Sequence, residues 1–334
     1  MHKAGNIKLI DNMLQDKRCN NSFIPQRVIM MLSIVAKMKR KLNLTDIPFA
    51  IRSSELLKGL KWNIKYNNEK ENLFPEGTIR NYVNKYESQD FINLYNNYVP
   101  LFLEKHGMST KVHILDCSKI LVNPDNPNYE NSEVVKDEEG ISRGYKLVTL
   151  RGVYGILRVL KQIGIESINN HDLKCCENLL EKSKILKPGD ILICDRGFIS
   201  REFLNNLKLN RNVNVYIPVK SNMDIYKEAV EIAKMQNKRS KHPNKKRNKQ
   251  KIQLVKDLGV YWRSNNPEND VPLSACVVWE IKKVRRLPNY YVFVTTDTEK
   301  NAEHIVNTYE IRANIEEDYR QVKHFWQIEK FCKT

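Results

Sequence analysis

At residue 111 the chain changes its period, and that change limits its possible folds more than any other feature. Lys111-Val112-His113-Ile114-Leu115-Asp116 reads as a short apolar strand ending in an acid. Tyr145-Lys146-Leu147-Val148-Thr149-Leu150 and Gly155-Ile156-Leu157-Arg158-Val159-Leu160 read as two more strands. A helix follows over residues 171–183. Then comes Gly189-Asp190-Ile191-Leu192-Ile193-Cys194-Asp195, an apolar strand that again ends in an acid. A helix from about 200 to 208 leads to a strand at 213–219. Strands first, then helices and strands in alternation, predict an α/β core around a mixed sheet. Residues 252–263, 271–285 and 289–296 read as further strands, which extend that sheet or form a separate β subdomain.

The first 110 residues carry helical patterns instead. Pro25 opens a run through Val28, Ile29, Leu32 and Val35 that is apolar over much of its circumference. Thr45-Asp46 before Ile47-Pro48 is a capping signal for a second helix, and Ser54-Glu55-Leu56-Leu57-Lys58 forms a third run. The segment Pro75 to Tyr86 ends this series as a basic, aromatic helix. A short helix, a turn and a basic helix suit a helix-turn-helix reader, in which Arg80, Asn81 and Lys85 reach base edges and phosphates. A helical bundle with no DNA role has the same pattern. The expected division is a helical domain over 1–108 and an α/β domain over 109–334.

Charge narrows the partner. Lys and Arg number 56 against 39 Asp and Glu, a net of +17. Such an excess favours a polyanion, nucleic acid before a membrane surface, although a composition rich in Lys, Asn and Ile accounts for part of it. The basic residues concentrate at 234–251, around Lys245, Lys246 and Arg247, with no acid among them. Alone that segment is a solvated loop; beside nucleic acid it is a phosphate-binding arm. The seven cysteines are odd in number and lack zinc-site spacing, which suits reduced thiols in the cytoplasm. No apolar run approaches the ~18 residues of a membrane span, and the N-terminus has no apolar signal core.

The last helix carries the chemistry. At about 100° per residue, Arg312, Glu316 and Lys323 fall at about 300°, 340° and 320° from Tyr309, so one carboxylate is framed by two cations and a phenol on one face. Ile311, Ile315, Tyr319, Val322 and Trp326 form an apolar face elsewhere. A Glu flanked by Arg and Lys is ordinarily a solvated ion-pair face, and an Asp after a strand ordinarily starts a turn. Taken together, Asp116, Asp195 and Glu316 suggest more, because carboxylates at strand ends of an α/β sheet can converge on one crevice. They repel one another unless a cation neutralises them, and hard oxygen donors select Mg²⁺ or Mn²⁺. Two such ions about 3.5–4 Å apart can activate a nucleophile and stabilise the leaving oxygen of a phosphodiester.

These residues resemble a known family, the DDE transposases of bacterial insertion sequences that carry Tyr-x2-Arg-x3-Glu-x6-Lys. Tyr309, Arg312, Glu316 and Lys323 match that spacing in full, Asp116 follows an apolar strand, and Asp195-Arg196-Gly197 opens the expected turn. The resemblance implies an RNase H-like core with a β-rich insertion at about 212–300. It implies Asp116, Asp195 and Glu316 as ligands of two Mg²⁺ or Mn²⁺ ions, and endonucleolytic cleavage at element ends followed by strand transfer. Arg312 and Lys323 would hold phosphates, Tyr309 would orient the same strand, and Trp262 or Trp279 would stack on a flipped base unless core. Arg320, Arg196 and Lys119 are further phosphate candidates, Arg196 equally a residue that fixes the turn. The implied partners are double-stranded DNA, as terminal inverted repeats and target, and a second copy of the chain when DNA is bound. The implied setting is the bacterial cytoplasm, with the nucleoid. Related chains continue past the last acidic helix, so the stop at Thr334 raises a truncated copy that binds element ends without cutting. A nuclease acting on branched DNA is a third reading, disfavoured by the Tyr309–Lys323 signature.

Overall fold

The computed structural model describes residues 12–19, 22, 24–40, 44–49, 60, 62, 74–75, 77–123, 125, 129–137, 140–281 and 288–325. The expected helix at 54–58 and Trp326 lie outside them. In chain order the strands are β1 (Val112–Val122), β2 (Glu133–Asp137), β3 (Gly140–Tyr154), β4 (Leu157–Ser167), β5 (Ile191–Cys194), β6 (Asn214–Pro218), β7 (Ser240–Lys241), β8 (Gln250–Leu258), β9 (Leu273–Ile281) and β10 (Pro288–Thr295). The α-helices are α1 (Gln26–Met38), α2 (Gly77–Val83), α3 (Ser88–Lys105), α4 (Asp172–Glu181), α5 (Arg201–Arg211), α6 (Asp224–Gln236), α7 (Ala302–Glu310) and α8 (Ile315–Arg320).

Among the described residues all the strands join one ten-stranded mixed sheet in the order β2-β3-β1-β5-β6-β10-β9-β8-β7, with β4 also on β3. β3 runs antiparallel to β4 and to β1, and β5 and β6 continue parallel to β1. This arrangement is consistent with an RNase H-like core. The segment after β6 extends the same sheet through β10 and is no separate subdomain. Antiparallel pairs of Val294 with Ile217 and of Val292 with Val277 carry the ladder across. Helix α6 inside that segment has no counterpart in the sequence reading.

Successive strand residues face opposite sides of a sheet, and the burial follows that rule. Leu115, Val148, Leu150, Leu192 and Cys194 pack against Cys176, Leu179, Phe203, Leu207 and Ala229, which belong to α4, α5 and α6. On the other face Ile114, Leu147 and Ile193 receive Ile315 and Tyr319 of α8. The apolar side expected of the last helix is therefore real for Ile311, Ile315 and Tyr319. Gly155, at φ +61, turns the chain between β3 and β4, which run four and seven residues beyond the expected strands at their far ends.

The N-terminal residues gather a core of their own, in which Val28, Ile29, Leu32, Trp62, Phe74, Ile79 and Tyr82 are buried. Helix α1 starts after Pro25 as expected, while Leu44–Phe49 is a 3-10 turn where an α-helix was expected. Helix α3 docks on β4 through an amide that imitates a neighbouring strand. The Asn96 side chain donates to the Ile163 carbonyl at 2.8 Å and accepts from the Ile163 N–H at 2.8 Å. This satisfies backbone groups that an edge strand otherwise leaves open.

Candidate active site

Strand register alone brings two acids together. In the parallel pair β1–β5 the last partners are Leu115 and Cys194. Asp116 and Asp195 are each the next residue, on strands ~4.8 Å apart, and they point to the same side. The sequence reading placed Asp116 at a strand end, and the structure corrects this. Strand β1 runs on to Val122 against β3, with Asp116 opposite Thr149. What ends at Asp116 is the pairing with β5, because the chain turns away at Asp195 into the 3-10 turn Arg196–Phe198. The Asp195 side chain does not cap that turn and remains available.

Arg312 sits between the two carboxylates. Its Nη2 lies 3.3 Å from both oxygens of Asp116 and 3.5 Å from Oδ1 of Asp195. The Cys117 N–H donates to Asp116 Oδ1 at 3.0 Å. Burial pushes the Asp116 carboxyl up from its ordinary range, and the nearby Asp195 adds to the effect; Arg312 and the Cys117 N–H only partly offset it. Arg312 stays charged. One guanidinium thus serves two carboxylates, leaving the centre short of positive charge.

The segment that carries Tyr309, Arg312, Glu316 and Lys323 is not the uniformly wound helix that the sequence reading assumed. Asn301 caps the start of α7 by accepting from the His304 N–H at 2.8 Å. The helix then passes through a 3-10 turn, Ile311–Asn314, before α8, and Gln321–Phe325 is a π turn. A 3-10 residue advances about 120°, against about 100° in an α-helix. The angle between Arg312 and Glu316 therefore widens from about 40° to about 100°. Tyr309 stays beside Arg312 and Asp195, its hydroxyl within reach of the guanidinium, while its ring packs on Phe293 at 4.7 Å between ring centroids. Burial pushes its phenol up to about 12.

Glu316 is exposed. Among the described residues no three His, Cys, Asp or Glu side chains converge as a metal-holding group. Asp116 and Asp195 fit a hard dication by donor type and convergence, and the third ligand is not gathered with them. Lys323 is half-buried with an interaction of its own. Arg320 pairs with Glu317 at 2.6 Å on the surface. Arg196, Lys119, Arg80, Lys85, Lys245, Lys246 and Arg247 are exposed. Trp279 is buried, and Trp262 packs against the core beneath the Arg201 guanidinium.

Three residues that sequence reasoning passed over hold α8 in place. Arg158 Nε donates to Asp318 at 2.6 Å, Arg151 Nη1 lies 3.6 Å from the same carboxylate, and Thr149 bonds the Tyr319 hydroxyl at 2.7 Å. The hydrogen-bonded partners lie 160 and 170 positions apart, so no local spacing announces them. Asp318→Ala strips the counter-charge from two mostly buried arginines. It is expected to cost about 2–3 kcal/mol, below the fully buried case because the pair retains some exposure. Thermal denaturation checks this; an unchanged melting temperature would remove Asp318 from the clamp.

Among the described residues no helix is long and apolar enough to cross a membrane. A family model described as the transposase DDE domain matches residues 148–334. No curated protein matches the chain.

Proposed function

Because the chain belongs to the family of DDE-domain transposases, we propose that it cuts and joins DNA at the ends of a bacterial insertion sequence. Members of the family act on DNA as polynucleotidyl transferases or nucleases and use divalent metal ions. The register that sets Asp116 beside Asp195 across Leu115 and Cys194 carries the reading for this chain. Asp116, Asp195 and Glu316 would hold Mg²⁺ or Mn²⁺ by their hard carboxylate oxygens. Two such ions, when present, supply a deprotonated water or 3′-hydroxyl and stabilise the leaving oxygen.

The remaining residues bind and orient. In the DNA-free chain Arg312 is the counter-charge of both aspartates. The same guanidinium would hold the phosphate beside the scissile bond through charge-assisted hydrogen bonds. Tyr309, neutral at all working pH values, offers a hydroxyl to the same strand. Lys323, Arg320, Arg196 and Lys119 hold flanking phosphates, Arg320 by exchanging Glu317 for DNA. Residues 1–108 form the end-recognition domain, with Arg80 and Lys85 on its exposed surface, and 109–334 the catalytic domain. Two copies assemble on paired DNA ends.

The test is strand cleavage of a labelled duplex carrying the element's terminal repeat, with Mg²⁺ or Mn²⁺ and with EDTA as control. Metal-dependent nicking at the repeat boundary is expected. Glu316→Gln is expected to reduce it by about 10³-fold with DNA binding retained. Undiminished cleavage by that variant would remove Glu316 from the site, and specific binding without nicking by the wild type would refute the catalytic reading.

A further inference from the structure

The basic stretch 234–251 is an ordered part of the sheet. Helix α6 ends at Gln236, β7 pairs with β8, and the connection between them is a 3-10 turn, Lys245–Arg247. The turn is held by one carboxylate, Glu310, the last residue of α7. Asn244 Nδ2 donates to Glu310 Oε2 at 3.1 Å, while Asn244 Oδ1 accepts from the Lys246 N–H at 3.0 Å. Arg247 Nε lies 3.0 Å from Glu310 Oε1. His242, with a fully buried side chain, faces the same oxygen at 3.7 Å through Nε2. Its Nδ1 accepts from the Asn244 N–H at 3.1 Å, which leaves the ring proton on Nε2, toward Glu310.

Glu310 follows Tyr309 directly and precedes Arg312 by two positions. The turn is therefore tied through β8 to the sheet and through Glu310 to the segment that reaches Asp116 and Asp195. Two of its cations, Lys245 and Lys246, are exposed, and the third, Arg247, lies against the carboxylate.

We propose that Glu310 is a positioning residue that fixes the turn Asn244–Asn248 beside the two-aspartate centre, so that Lys245 and Lys246 meet the DNA backbone at a set distance from it. Arg247 is then a strut and not a phosphate contact. The DNA half of this inference rests on the transposase reading; the anchoring half does not. Electrostatics alone gives the opposite sign for Glu310, because deleting a negative charge near a polyanion tightens binding. Positioning predicts poorer cleavage at unchanged or tighter binding.

The full-length chain is compared with its Glu310→Ala, Arg247→Ala, Lys245→Ala and Lys246→Ala variants. Without DNA, trypsin is expected to cut after Lys245 and Lys246 about tenfold faster in Glu310→Ala and Arg247→Ala, because local opening becomes easier. Rates equal to wild type overturn the anchor. Arg247 is a surface side chain, so its variant still reads the anchor should Glu310→Ala not fold. In duplex binding across a salt series, Lys245→Ala and Lys246→Ala are each expected to reduce the log–log slope by about one, and Arg247→Ala to leave it unchanged. A slope reduced by about one in Arg247→Ala overturns the strut. Glu310→Ala is expected to cleave about tenfold more slowly without weaker binding; full cleavage overturns the positioning role. No DNA binding by the wild type refutes the transposase reading and the DNA half together, while the protease result alone decides the anchor.

Discussion

Asp116→Asn is expected to lose strand cleavage by about 10³-fold or more and yet to melt at a higher temperature than the wild type in EDTA. The two effects share a cause. The Asp116 carboxyl is buried and lies beside Asp195, and the guanidinium it shares with Asp195 only partly offsets this, so its folded pKa is raised. A carboxyl with a raised folded pKa holds its proton more tightly in the native state than in the unfolded chain. Its stabilising contribution is present below the ordinary carboxyl range and is lost as pH rises through the raised value. At neutral pH the ionised group therefore burdens the fold, and the neutral amide of similar shape relieves it. The gain in melting temperature should be larger at pH 8 than at pH 3, which lies below the ordinary carboxyl range. Melting curves at the two pH values, beside a cleavage assay, test this. A lower melting temperature at pH 8 would show that the Arg312 contact outweighs burial.

Arg312→Gln is expected to behave in the opposite way. It leaves two neighbouring carboxylates with no shared cation, one of them buried. Breaking a buried ion pair from the cationic side leaves uncompensated charge. Asp195 is partly exposed, so the cost should be about 2–3 kcal/mol, or ~5–10 °C in melting temperature for a domain of this size. Adding Mg²⁺ should raise the melting temperature of Arg312→Gln more than that of wild type, because a dication then faces both acids without competing with the guanidinium. Cleavage should still fall by about 10²–10³-fold, since the phosphate loses its ligand. Combining Asp116→Asn with Arg312→Gln should cost less than Arg312→Gln alone. Equal magnesium shifts in wild type and Arg312→Gln would separate Arg312 from the metal-holding acids.

These expectations rest on contacts that the sequence disclosed unevenly. The two acids were legible because each follows an apolar run, and a sheet needs only register to place such residues side by side. The end of β1 was not legible: nothing in Asp116-Cys117-Ser118 tells whether the strand stops or merely loses one neighbour. The tight turn at Ile311–Asn314 was hidden for a similar reason. Its residues fit an α-helix as well as a 3-10 turn, and the wheel drawn through them assumed uniform winding. The Asp318 clamp and the Glu310 anchor join residues far apart in the chain, where local pattern carries no information. Residues 234–251 were legible only in part. Their charge left a solvated loop and a phosphate-binding arm open, and gave no sign of the order that buries His242 and Gln250.

The ladder that runs unbroken from β3 through β1, β5 and β6 into β10, β9 and β8 has a mechanical consequence. The residues after β6 are hydrogen-bonded to β6, and β6 in turn to β5, which leads to Asp195, so they cannot swing as a hinged lid. Amides in the middle of β9 and of β5 should exchange with solvent through the same rare, collective opening, with equal protection. A chain built this way meets its DNA as a stiff plate. The bending that brings a duplex onto both the acids and the basic turn then falls to the nucleic acid, where its cost depends on sequence.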